Sequence, residues 1–118
     1  LLQRFASDYD EMAGGYWRAL LEGARHETRR EVLHALEATP PTTIRGCLRQ
    51  LGTFRATEDL RRFPGPVFVL AGPMGAGEEA LQHTLGLPHE TVEGVSHYVY
   101  LDASHAFDAA LDRFLARL

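Results

Sequence analysis

Histidine is the side chain whose ordinary titration leaves a proton-accepting nitrogen at neutral pH, and His97 stands where such a base is useful. It lies in Gly94-Val95-Ser96-His97-Tyr98, between a short β-like run and a strongly amphipathic stretch. A neutral imidazole there can take a proton from a nucleophile and return it to the leaving group; the competing reading is a turn or capping histidine with no chemical task. Gly94-Val95-Ser96-His97-Tyr98 imitates the first half of a G-x-S-x-G elbow, but Tyr98 stands where the second glycine belongs. Ser7 and Ser104 have no glycine framing, so no serine reads as a nucleophile. Cys47 falls on the apolar face of an expected helix and reads as a small buried hydrophobe. The histidines, His26, His34, His83, His89, His97 and His105, show neither H-E-x-x-H nor a Cys/His finger spacing, so neither a metal nor a cofactor is expected. Ala71-Gly72-Pro73-Met74-Gly75-Ala76-Gly77 lacks the G-x-G-x-x-G order and a Lys-Ser pair, and reads as a plain loop. Tyr9, Tyr16 and Trp17 sit at helical spacing, which favours packing. Tyr16 and Trp17 are nevertheless the candidates for lining a substrate pocket.

These residues need elements to hold them. From Leu1 to Arg62 the chain reads as helical and irregular, with no period-2 stretch. Gly14-Gly15 is expected to bend or divide the first helix. A second should start at Thr28, with Glu31 completing a capping box, and stop at Pro40-Pro41. A third carries Ile44, Cys47, Leu48 and Leu51, with Thr42 or Thr43 as N-cap and Gly52 at its end. After the turn Phe63-Pro64-Gly65-Pro66, the continuous apolar run Val67-Phe68-Val69-Leu70-Ala71 predicts a strand covered on both faces. A short helix from Glu78 to Leu85, a strand from His89 to about Val92, and a closing helix from Ala103 to Leu118 follow. The closing helix presents Phe107, Ala110, Leu111, Phe114, Leu115 and Leu118 on one face, with Asp102 or Ser104 as its cap. The order is helices, then β-α-β-α.

Length and composition bound the rest. A chain of 118 residues is one domain at most, and its 45% hydrophobic and 24% charged content suits a globular protein with a core. A net charge of −4 gives no basic footprint for nucleic acid or anionic lipid. The single cysteine forbids an internal disulfide and favours a reducing, cytoplasmic setting, and neither a bilayer-spanning run nor a signal peptide is present. No membrane or nucleic-acid partner is expected. Two strands alone do not make a stable sheet in water, and the chain opens on Leu1-Leu2-Gln3-Arg4-Phe5 without an initiator methionine. Both point to missing sheet upstream in the parent polypeptide or on a companion chain.

Asp59-Leu60, Pro66-Val67-Phe68-Val69-Leu70-Ala71-Gly72, Leu85-Gly86-Leu87-Pro88, Gly94-Val95-Ser96-His97-Tyr98, Leu101-Asp102 and Phe107 to Phe114-Leu115 together resemble the C-terminal part of the α/β-hydrolases. The resemblance implies an α/β fold: a helical lid over residues 1–62, then residues 63–118 as the last two strands and helices of the hydrolase sheet. It also implies His97 as general base in a nucleophile-His-acid mechanism that hydrolyses an ester or similar small substrate, with the nucleophile on the missing N-terminal hydrolase section. The sequence departs from the family at Gly75, where the acid usually stands. Glu78 and Glu79 come later and fit a helix start better than an imidazole partner. That departure keeps open a second possibility, a hydrolase-like ligand-binding or interaction protein that has lost its acid.

Overall fold

The computed structural model of the chain describes residues 9–118, with side chains from residue 13 onward. The expectations for Ser7 and for the side chain of Tyr9 lie outside the described residues. Four helices come first among the described residues: α1 (Tyr9–Leu20), α2 (His26–Ala38), α3 (Pro41–Leu51) and α4 (Ala56–Arg62). Their ends follow electrostatics and backbone chemistry rather than side-chain caps. Pro41 occupies the first turn of α3, where the N–H it lacks is not needed. Helix α4 has Glu58 and Asp59 in its first turn and Arg61 and Arg62 in its last, each complementing the helix dipole.

The second half runs β1 (Val69–Ala71), a 3₁₀ turn (Pro73–Gly75), α5 (Leu81–Thr84), β2 (His89–Thr91), α6 (Val99–Asp102) and α7 (Ser104–Leu115). The strands pair in parallel, Val69 opposite His89 and Ala71 opposite Thr91. The β-α-β order is therefore as the sequence suggests, but the fold class is not. The chain is mostly helical, its only sheet among the described residues is this pair of three-residue strands, and no section of an α/β-hydrolase sheet is visible there. The physical reason lies in the strands. Only three residues of the apolar run Val67–Ala71 enter the ladder, all half-buried instead of covered on both faces, and β2 exposes His89 and Thr91.

Smaller expectations are corrected as well. Helix α1 continues through Gly14 and Gly15 without a break. Thr28 caps nothing: α2 begins two residues earlier, and Thr28 is buried in its first turn. Neither Thr42 nor Thr43 caps α3, and neither Asp102 nor Ser104 supplies a side-chain cap to α7. Cys47 is exposed.

The buried apolar residues are Leu20 and Leu21 at the end of α1, Val32, Leu48, Val95, Val99 and Ala110. Helix α7 is held to the strands by Phe114, stacked on Phe68 at 5.9 Å between centroids, and by Arg113, 2.9 Å from Glu90. The outer part of its apolar stripe, Leu111, Leu115 and Leu118, faces solvent.

Candidate functional site

The loop after β2 turns at Gly94, whose φ of +72° lies in the left-handed region that favours glycine. It then runs through Val95, Ser96 and His97 into α6. Val95 and Ser96 are buried, whereas His97 is exposed. Three other parts of the chain hold this segment. Gly72, leaving β1, packs so close that a Cβ there would stand 2.5 Å from the carbonyl oxygen of Ser96. Gly23, at φ +81° in the α1–α2 turn, brings its backbone against the Val95 carbonyl, 3.1 Å from where a Cβ would lie. The backbone N–H of His97 donates to the carbonyl of Leu20 at 3.1 Å. His97 is thus presented on a rigid backbone beyond the carboxyl ends of two parallel strands.

A further support is Asp102, 7% exposed. One carboxylate oxygen accepts the backbone N–H of Arg25 at 2.9 Å; the other accepts the backbone N–H of Ser96 at 2.8 Å and the Ser96 hydroxyl in a short hydrogen bond. Thr28 adds a side-chain hydrogen bond. The Ser96 oxygen in turn accepts the N–H of Tyr98 at 3.1 Å. Burial pushes the Asp102 carboxyl up, but the hydrogen bonds from the Ser96 hydroxyl, the Arg25 N–H, Thr28 and the Ser96 N–H outweigh it, and the net shift is downward. Asp102 is therefore an ionised clamp tying the turn before α2 to the loop that carries His97. The sequence suggested only a helix cap here.

The His97 ring lies edge-on to Tyr98, centroids 5.6 Å apart. Tyr98 hydrogen-bonds Trp17, and Trp17 meets Tyr16 edge-to-face at 5.1 Å. An indole N–H can only donate, so the phenol oxygen of Tyr98 accepts. Burial raises the Tyr98 phenol above its ordinary value; the Trp17 bond opposes this, and the neighbouring phenols of Tyr100 and Tyr16 add to it. Of the three sequence candidates, Trp17 lines two clefts, one between α1 and α2 and one against Tyr98 and Tyr100, whereas Tyr16 and His97 line neither.

Among the described residues no carboxylate hydrogen-bonds the His97 ring. Ser96 is no nucleophile, since its hydroxyl is 1% exposed and engaged by Asp102. At Gly75 the carbonyl accepts Gln82 Nε2 at 2.7 Å, fixing the loop after β1. Glu79 folds its carboxylate over Gly77, 3.6 Å from where a Cβ would be. No group of three or more His, Cys, Asp or Glu side chains converges to hold a metal among the described residues. Comparison with protein-family models, with curated proteins and with solved structures gives no match.

Proposed function

We propose that the chain supplies the general-base histidine of a nucleophile-His-acid hydrolase, a member of the family its motifs resemble, acting on an ester or similar small substrate. One observation carries this reading: His97 is exposed directly after the buried pair Val95 and Ser96, on a backbone fixed from three sides at the carboxyl ends of two parallel strands. That is where ligands of parallel strands collect. The nucleophile lies outside this chain, on a section that brings its hydroxyl or carboxylate to the imidazole. Trp17, joined to His97 through Tyr98, forms the substrate-facing side, with Tyr16 packed edge-to-face on it. A cytoplasmic setting fits the exposed, unpaired Cys47 thiol; no helix of the described residues is long and apolar enough to cross a membrane.

The test is hydrolysis of a chromogenic short-chain ester by the assembled protein containing this chain. Replacing His97 with Ala should lower turnover by about 10²–10⁴-fold, the usual contribution of a positioned base. Unchanged turnover would remove His97 from the chemistry. The second reading, a ligand-binding protein without catalysis, is favoured by Gly75 and by the lack of a carboxylate hydrogen bond to the His97 ring among the described residues. It is supported if the assembly shows no turnover yet binds small apolar ligands.

A further inference from the structure

The cleft between α1, α2 and the start of α3 carries chemistry that the His97 loop does not use. Its walls are apolar, formed by Trp17, Leu21, Leu33, Leu36 and Ile44, and it encloses about 510 Å³. That falls within the roughly 300–1,000 Å³ of small-molecule sites. Leu33 is 42% exposed although it lies in the middle of α2, so a large apolar side chain is spent on the cleft instead of on the core.

The lining also carries charge. Arg18, Arg29 and Glu37 belong to it, an excess of one positive charge, and neither arginine has a carboxylate partner among the described residues. Arg29 donates through one terminal nitrogen to the Leu21 carbonyl at 3.0 Å, which fixes its guanidinium and leaves further N–H donors. Arg18 folds back along α1 until a terminal nitrogen is 3.8 Å from where a Cβ on Gly14 would sit. Gly14 itself lines the cleft, and its missing side chain leaves the edge open. Guanidinium groups match carboxylate geometry, and the apolar walls match an alkyl tail.

We propose that this cleft binds an amphipathic carboxylate of medium chain length, its tail against Trp17, Leu33 and Ile44 and its head at Arg18 and Arg29. The site shares Trp17 with the hydrolytic reading but goes beyond it and does not depend on catalysis.

Trp17 is the only tryptophan in the chain and lines both this cleft and the one against Tyr98 and Tyr100, so its emission reports binding and the variants at Arg18 and Leu33 assign it to this cleft. Decanoate titrated into the full chain should change that emission saturably at one equivalent. Decylamine, with the same tail and the opposite head, should bind at least about tenfold more weakly. Arg18→Gln should weaken decanoate binding about five- to tenfold. Leu33→Gln should weaken it without touching the charges, and since Leu33 is part-exposed that variant keeps its fold, checked by circular dichroism. His97→Ala should bind as the wild type does, which separates this site from the proposed catalysis. Five results overturn the proposal: no saturable signal by emission or calorimetry, decylamine binding as tightly as decanoate, unchanged affinity in both Arg18→Gln and Arg29→Lys, loss of binding in His97→Ala, or a ligand-free dimer that buries Trp17 in sedimentation and quenching experiments.

Discussion

Asp102 shows how much a single buried carboxylate can organise. It receives two backbone N–H groups and the Ser96 hydroxyl, so removing it leaves donors buried without acceptors. Asp102→Ala should cost about 2–4 kcal/mol, measured by urea denaturation. Asp102→Asn should also destabilise, because its amide donor would face N–H groups. The pH dependence has a definite sign. The folded-state pKa lies below the ordinary value of about 3.9, so the stabilisation is complete above that pH and is lost as pH falls through the folded value. Wild type should therefore lose stability below about pH 4 more steeply than Asp102→Asn; parallel slopes would mean that the carboxylate is not held ionised. Gly72 gives a second check. A methyl group there meets the Ser96 carbonyl at 2.5 Å, so Gly72→Ala should destabilise by about 1–3 kcal/mol and shift the His97 ring resonances in NMR spectra.

At the scale of elements, α1 and α3 carry helix-interior glycines that touch nothing. A Cβ at Gly15 or Gly46 would find no atom within 4 Å, and neither residue has a positive φ. Gly15→Ala and Gly46→Ala should each raise stability by about 0.4–1 kcal/mol, seen as a higher thermal midpoint. The same positions explain what sequence reading could and could not find. Helical periodicity located α1, α2, α3 and α7, and the Val67–Ala71 run located β1. Gly14-Gly15 suggested a break because a glycine pair weakens a helix, yet Leu20 and Leu21, 6% and 1% exposed, bury the end of α1 and hold it together. Val99–Asp102 went unread as a helix because four residues carry no period. The clamp could not be read at all: its key donor, the Arg25 N–H, is backbone, and the residue 77 positions away that accepts it leaves no local signature. The turn that exposes His97 was legible from Gly94, whereas the lack of a carboxylate hydrogen bond to its ring among the described residues had no signal but Gly75.

Over the whole molecule, the radius of gyration is 15.9 Å with extents of 44 × 34 × 24 Å. A compact chain of this length would have a radius of about 13.5 Å. Few large side chains are fully buried, and Leu51, Phe54 and Phe63 on and beside α3 and α4 are all more than half exposed. Stability should accordingly be uneven. Hydrogen exchange should be slowest at the Ser96 and Arg25 amides and fastest through α3 and α4; uniform protection would contradict this gradient.

The bond from Arg25 to Asp102 also has a consequence for how the protein comes into being. A ribosome delivers the chain from its amino end, so the turn before α2 is released long before the carboxylate that must fasten it has been made. Until Asp102 emerges, α1 and α2 have no latch onto the rest, and nascent chains arrested just short of it should be cut readily by protease between the two helices. Chains extended past α7 should resist. Assembly is in that sense a clasp whose second half is made 77 residues after its first.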